Sequence, residues 1–422
     1  MLLSKVKQAF LEKLGFPVRH YLVKLPPALR YRDFRLFTIG YLPAETGEYI
    51  HFVVQNWLAW KLTRSAFSLG LLGFCEFAPR FIFGPIGGVV ADRMDRITLL
   101  KLSRVANLGQ SLIFAALIFT GQLQFWHIIV LVVFMSIVSS FSTAAQQVVI
   151  VNLVPQEGVV SALALNSAAH NLTKVIGPSI GGVLLTLIGP GPCILIQAVT
   201  VVGMLFTLWR MQPAALPKSM AKGDWLKDIA EGISYLGENR RLLAAILTTY
   251  SNGFFGISYA QFLPYFAQEV LHVGPAGYGV LVSAPGVGAV AISFFLSTHT
   301  RLRHMSRLLV GASLIYAVAI FLFALSPFYI LSIVLLAVVG SMQMSYRVLV
   351  RAIIQEECPD HMLGRAMSLF FIDRGFGSLG AIGIGSLAAI VAVPVAVAAS
   401  AVACGLVSWI LPKAANKPKS LL

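Results

Sequence analysis

Charge is what this sequence has least of: 12% of its 422 residues are Asp, Glu, Lys or Arg, against roughly 25% in a soluble globular domain. A chain so poor in charge is not a water-soluble protein. Cysteine is scarce too. Cys75, Cys193, Cys358 and Cys404 show no CxxC or ligand spacing, which indicates neither a disulfide framework nor a metal site. No GxxxxGK[ST] loop is present, so energy from bound ATP is disfavoured and an ion gradient is favoured. Gly375-Phe-Gly377-Ser-Leu-Gly380 has the GxGxxG form but no preceding strand, and reads as helix packing instead of a dinucleotide loop. Nucleophile, base and oxyanion-stabilising residues form no recognisable set, so neither an enzyme nor a cofactor is expected. Residues 1–35 lack the apolar core and cleavage site of a signal peptide.

What is present is apolar. Hydrophobic residues make up 57% of the chain and the mean hydropathy is +0.81, the composition of an integral membrane protein. Runs long enough to cross a bilayer, about 20 residues at a rise of about 1.5 Å, recur twelve times, at 36–60, 67–90, 98–121, 125–151, 160–188, 192–210, 242–267, 277–298, 306–325, 328–350, 363–391 and 393–411. The fold class is therefore all-α, and the even number puts both termini on one side.

Of the 32 Lys and Arg, only Lys61 and Arg64 fall on the opposite side, and Arg80, Lys174 and Arg374 fall inside spans. The rest sort to the side of the termini, with Arg93, Arg96, Lys101 and Arg104 around the turn between spans 2 and 3, and Arg347, Arg351 and Arg365 between spans 10 and 11. By the positive-inside bias the termini are cytoplasmic, as expected of a multi-pass protein of the cell inner (plasma) membrane. The formal charge of +15 is thus topological, and no nucleic-acid partner is implied.

Residues 211–241 are the longest polar interruption, and they divide the spans six and six. The expected organisation is a cytoplasmic segment at 1–35, six-helix bundles at 36–210 and 242–411, a cytoplasmic linker at 211–241 and a tail at 412–422. Trp225, Ile229, Ile233 and Leu236 share one helical face, which predicts an amphipathic helix in the linker lying on the membrane. Leu3, Val6, Phe10 and Leu14, with Lys5, Lys7 and Lys13 between them, suggest either a short interfacial helix or a disordered tail. An internal repeat supports the division: Val154-Pro-Gln-Glu-Gly-Val-Val-Ser-Ala-Leu after span 4 aligns with Cys358-Pro-Asp-His-Met-Leu-Gly-Arg-Ala-Met after span 10.

Between spans 2 and 3 the apolar run stops at Gly84-Pro-Ile-Gly-Gly88-Val-Val-Ala-Asp92-Arg93-Met-Asp95-Arg96. Glycines four apart let another backbone approach closely, and Asp92 suits a helix N-terminus or an arginine. Span 5 contains Gly177-Pro178-Ser-Ile-Gly181-Gly182, a small-residue face with a proline kink. Together with Tyr31-Arg-Asp-Phe-Arg-Leu-Phe before span 1, these stretches resemble the major facilitator superfamily of secondary transporters. Gly88-x-x-x-Asp92-Arg93-x-Asp95-Arg96 is similar to its signature loop, and the span 5 stretch is similar to the antiporter motif of its exporters. The resemblance covers nearly the whole chain and is closest to the drug and siderophore exporter branch. It implies twelve helices in two bundles of parallel topology, with a substrate cavity between them. It also implies that Gly88, Asp92, Arg93, Asp95 and Arg96 form a conformational gate, holding the halves together on the cytoplasmic side in the outward-facing state. Two departures stand out. Arg301-Leu-Arg303-His-Met-Ser-Arg307, at the second-half position of the loop, has no aspartate, and span 4 lacks the arginine that many proton-coupled drug exporters carry there.

A charge inside a span costs roughly 2.5–3.5 kcal/mol at a helix centre, so it needs a partner, a wet cavity or a function. Glu45, Glu48 and His51 share one face of span 1 at i, i+3 spacing. Glu48 is the first candidate for proton coupling, with Glu45, His51 and Asp373 as further candidates; alternatively Glu45 and His51 only cap or hydrogen-bond. Glu76 and Arg80, at i, i+4, either form a local ion pair or meet substrate. His170 and Lys174 in span 5, with Arg374 at the repeat counterpart of His170, could clamp an anionic part of a substrate across the halves; alternatively Asp373 and Arg374 lie near the cytoplasmic side of their helix and lock one conformation. Gln146 in span 4 is a further cavity candidate.

The expectation is a monomeric secondary active transporter that exports a small amphipathic compound, a drug or siderophore, by alternating access and proton antiport. Its other partners are membrane lipids. A lysophospholipid flippase and a non-transporting sensor of the same fold are the alternatives.

Overall fold

The computed structural model describes residues 26–211, 225–298 and 304–415. Leu3, Val6, Phe10, Leu14, Arg301, Arg303 and the tail from 416 lie outside the described residues, as do the side chains of Gly88, Asp92, Arg93, Trp225, Ile229 and Arg374.

Every expected span is helical. The first six are α1 (Arg32–Thr63), α2 (Ala66–Arg93), α3 (Arg96–Phe119), α4 (Phe125–Asn152), α5 (Val159–Ile188) and α6 (Pro190–Arg210). After the linker helix α7 (Trp225–Glu238) come α8 (Arg240–Ser251, continued in broken form to Val270), α9 (Gly274–Thr298), α10 (Met305–Leu325), α11 (Tyr329–Glu357), α12 (Asp360–Phe371), α13 (Asp373–Ala388) and α14 (Val393–Ala415). Span 11 is thus α12 and α13, interrupted at Ile372.

Ten helical segments among the described residues are long and apolar enough to cross a membrane. The other two expected spans, α1 and the α8 run, fall short of that measure for separate reasons. Polar Glu45, Glu48, His51, Gln55 and Asn56 thin out the apolar content of α1. The α8 run leaves regular α-helix at Asn252–Gly256, where the chain becomes π-helical, and again at Ile257–Phe262, a 3-10 stretch. Glycine and an inserted side chain are ordinary causes of such breaks. Here Asn252 is buried, donating to Ser313 Oγ at 2.9 Å and accepting from Ser408 Oγ at 3.1 Å.

Short polar turns end the helices sharply. Ser65 Oγ accepts the Ser68 N–H at 3.4 Å and opens α2, and Asp95 Oδ2 accepts the Thr98 N–H at 2.8 Å and opens α3, each satisfying an otherwise unpaired donor. Arg64, with φ of 48°, closes α1 in the left-handed region.

The helices pack in two sets. In the first, α1 lies against α5 and α6, α2 against α4, and α3 against α4 and α6; in the second, α11 lies against α9 and α10, and α14 against α8 and α10. The main contacts between the sets are α2 with α13 and α5 with α9. Glycine permits both. A Cβ on Gly70 would meet the Ala381 carbonyl oxygen at 2.5 Å, and one on Gly182 would meet Gly279 Cα at 2.9 Å. All four helices make these contacts near the end that carries the α1–α2, α5–α6 and α9 turns, away from the described chain termini. The linker helix α7 docks on the second set: Arg365 pairs with Glu231 at 2.7 Å, Tyr235 donates to the Glu357 carbonyl at 3.1 Å, and Leu236 is buried.

Candidate functional site

A polar cleft of about 130 Å³ opens among α1, α2, α3, α4 and α6 of the first set. Glu48, His51 and Gln55 reach it from α1, Glu76 and Arg80 from α2, Asn107 and Gln110 from α3, and Gln197 from α6. The i, i+3 spacing seen in the sequence does put Glu48 and His51 side by side in one cavity, but each has a different partner. Arg104 of α3 donates to the Glu48 carboxylate. The His51 ring is buried, with Nδ1 3.4 Å from Gln197 Oε1 and Nε2 3.4 Å from Gln110 Nε2. Gln197 in turn donates to Asn107 Oδ1 at 2.7 Å and accepts from Ser111. A ring that donates from Nδ1 and accepts at Nε2 satisfies this network without carrying charge.

Glu45 faces away from the cleft to α5, where its Oε1 lies 3.0 Å from His170 Nδ1. His170 is therefore held by its own helix set. Glu76 and Arg80 share the cleft but form no ion pair, although their i, i+4 spacing suits one: the Arg80 guanidinium lies over the Phe77 ring at 5.5 Å. Lys174 is half-buried on α5 and Gln146 half-buried on α4, and neither lines the cleft.

In the second set Asp373, fully buried at the start of α13, accepts from Arg347 of α11. One turn on, Arg351 lies over the rings of Phe370 and Phe371 at 5.3 and 5.6 Å. Sequence sorting places Arg104 and Arg347 among the cations flanking the spans. The structure corrects this, since both lie within helices and neutralise carboxylates there. The signal was their position inside the apolar ranges 98–121 and 328–350.

The span 5 motif does what small residues allow. Gly177 and Gly181 face α1, where a Cβ would meet Tyr49 Cβ at 2.6 Å and Ile50 Cα at 3.0 Å respectively, while Gly182 faces α9 of the other set. Pro178 is buried inside the continuous α5. Of the loop residues between α2 and α3 with described side chains, Asp95 caps α3 and Arg96 is buried at its first turn.

The two sets are also tied by polar groups. Trp60 Nε1 of α1 donates to Glu269 Oε1 at 3.3 Å, and Arg64 pairs with the same carboxylate. Ser179 Oγ lies 2.9 Å from Ser283 Oγ. Trp57 stacks on Tyr278 at 5.9 Å.

Two helix sets meeting along two helix pairs, with a charged cleft beside the seam, define a membrane transporter of the major facilitator type. Its structural neighbours share that fold. The nucleoside transporter NupG superposes with a TM-score of 0.71 at 14% identity, covering 91% of this chain and 100% of that one. A bacterial homologue of the iron transporter ferroportin in the inward-facing state gives 0.68 at 15% identity, covering 92% and 99%.

The chain belongs to the transmembrane secretion effector family, whose profile matches residues 25–418. Among its relatives, the staphyloferrin A transporter of Staphylococcus aureus is 21% identical over 339 residues, 80% of this chain and 84% of that protein. The enterobactin exporter EntS of Escherichia coli O139:H28 is 28% identical over 360 residues, 82% of each chain. Macrolide efflux protein A of Streptococcus pyogenes is 23% identical over 320 residues, 73% of this chain and 77% of that protein.

Proposed function

We propose that this transporter exports a small amphipathic organic compound, a drug or siderophore, from the cytoplasm by alternating access coupled to proton antiport. The observation that carries this reading is the seam: the two sets touch through Gly182 and Gly279, Gly70 and Ala381, and Arg64 and Glu269, at the end opposite the termini. With cytoplasmic termini in the inner membrane, the seam closes the outer face and leaves the cytoplasmic side to admit substrate. The units that rock are the six-helix bundles at 36–210 and 242–411, with the linker moving with the second. The gate formed by Gly88, Asp92, Arg93, Asp95 and Arg96 acts in the opposite, outward-facing state. A relative named for enterobactin export and another named for macrolide efflux support the substrate class.

Glu48 is the coupling carboxylate of this reading: proton and substrate compete for it in the cleft beside Arg104, so each half of the cycle carries one or the other. Each ligand shifts the equilibrium only by its differential affinity for the two states. The test is proton flux in inverted membrane vesicles. Adding exported compound should dissipate an imposed pH gradient with the wild-type protein and fail to do so with Glu48→Gln; dissipation by both refutes Glu48 as the coupling group.

A further inference from the structure

Around the cleft of the first helix set, guanidiniums and carboxylates match in number: Arg80 and Arg104 stand against Glu48 and Glu76. The second set is not balanced in this way. There the buried Asp373 faces two guanidiniums of α11, Arg347 and Arg351, and it is taken by Arg347. The next carboxylates along α11, Glu356 and Glu357, go to Arg241 of α8, the first at 3.8 Å. Arg351 is left with no carboxylate partner among the described residues.

It is held in place all the same. The Phe370 ring is shared by both guanidiniums, 6.0 Å from Arg347 and 5.3 Å from Arg351, and Phe371 adds a second ring at 5.6 Å. Attraction to a ring face positions a guanidinium without consuming its N–H donors. Phe370 is fully buried and Phe371 is half exposed, so this aromatic floor is anchored on one side and open on the other. Arg351 itself is exposed. The floor is braced where α12 ends: the Tyr250 hydroxyl donates to the Leu369 carbonyl at 2.7 Å, and the Tyr250 ring stacks on Phe376 at 4.5 Å.

The place of this group in the fold gives it access. Along α11, Arg351 is roughly 9 Å from the last residue, Glu357. Along α13, Asp373 is about 12 Å from Ala381, where α13 meets Gly70 of α2. The site therefore lies toward the end that carries the termini, away from the closed seam.

We propose that Arg351, seated on Phe370 and Phe371, selects an organic anion for this transporter: a compound whose carboxylate takes the free guanidinium and whose aromatic ring lies on the open face of Phe371. The planar fork matches a carboxylate bidentately, and the ring contact adds an aromatic pair. This contact belongs to the second helix set and is additional to Glu48 on the first. Its role in transport rests on the export reading above; the binding itself rests on α11 and α12.

The test is thermal unfolding of the full-length protein in phosphatidylcholine nanodiscs, with sodium benzoate replacing sodium chloride at fixed pH and ionic strength, and benzamide as the uncharged counterpart. Wild type should show a saturable rise in Tm with benzoate and none with benzamide. Arg351→Gln should need about tenfold more benzoate for half the rise, and Arg351→Lys, which keeps the charge without the fork, should fall between the two. If Arg351→Gln does not fold, Phe371→Ala should weaken the benzoate response and leave Tm in chloride close to wild type. A second arm adds phosphatidylglycerol to the nanodiscs. If this lipid raises Tm through Arg351 and abolishes the benzoate response, the group held is a lipid headgroup and the selection of substrate is overturned. Wild type indifferent to benzoate, or Arg351→Gln with lower Tm in chloride but unchanged benzoate dependence, overturns the site. Benzoate binding through Arg351 in a protein that exports nothing supports the site and refutes the export reading alone.

Discussion

Arg64 and Glu269 form an ion pair between the two helix sets, and the Trp60 indole N–H donates to the same carboxylate at 3.3 Å. The pair is partly exposed, so it contributes about 0.2–1 kcal/mol. Glu269→Gln should therefore raise the ratio of open to closed seam by up to about fivefold. Spin labels at Leu62→Cys and His272→Cys, on the two sides of this contact, should report a larger population of long distances in the variant.

The glycine contact should be less forgiving than the ion pair. A side chain at Gly182 meets the backbone of Gly279, with Cα 2.9 Å from an added Cβ, whereas Gly203 on α6 has open space around it. Gly182→Leu should yield folded protein that has lost transport and whose label distances stay long at this end. Gly203→Leu should transport as wild type does.

Removing one partner of the Arg347–Asp373 pair leaves the other charge stranded. Arg347→Met should cost about 3–5 kcal/mol of stability, and the double variant Arg347→Met with Asp373→Leu should recover most of that loss. Thermal unfolding of the two single variants and the double variant measures the recovery as a coupling energy.

Asp95 offers a pH signature outside the spans. Burial pushes its carboxyl up, but hydrogen bonds from the Thr98 hydroxyl and N–H and from Ile97, with the charge of Lys101, outweigh this and hold it below the usual carboxylate range. The sign follows from linkage. A carboxyl depressed in the folded state stabilises above its unfolded value of about 3.9, and that stability is lost as pH falls through the folded value. Asp95→Ala should cost about 1 kcal/mol at neutral pH. The difference from wild type should persist to about pH 5 and shrink only in stronger acid; a stability gap that grows on acidification would contradict the cap.

Much of this fold is legible in the sequence because apolar runs alternate with short charged turns. The Met94-Asp95 turn ends α2 and caps α3 within two residues, and the same economy sets most helix ends to within a few positions. Span 7 is the exception. Its apolar content at 242–267 looks continuous, but the Asn252 side chain finds its partners on α10 and α14, and the helix widens around it.

The charge pairing is less legible. Glu45 and His170 are 125 residues apart, and Glu48 meets an arginine whose sequence neighbours are all topological cations. A local rule, i to i+4, predicts the Glu76–Arg80 pair that does not form, because Phe77 offers its ring to the guanidinium and Gln261 arrives from the other half. Tertiary approach decides which charges meet, and periodicity records only which helix face they share.

The central claim is export, and the most direct measurement compares small molecules in cytosol and medium between cells lacking this protein and cells overproducing it, in metal-replete and metal-starved cultures. The account predicts an organic compound retained inside by the deletion and enriched outside by overproduction. A medium unchanged in both strains, with altered membrane lipids instead, would contradict it.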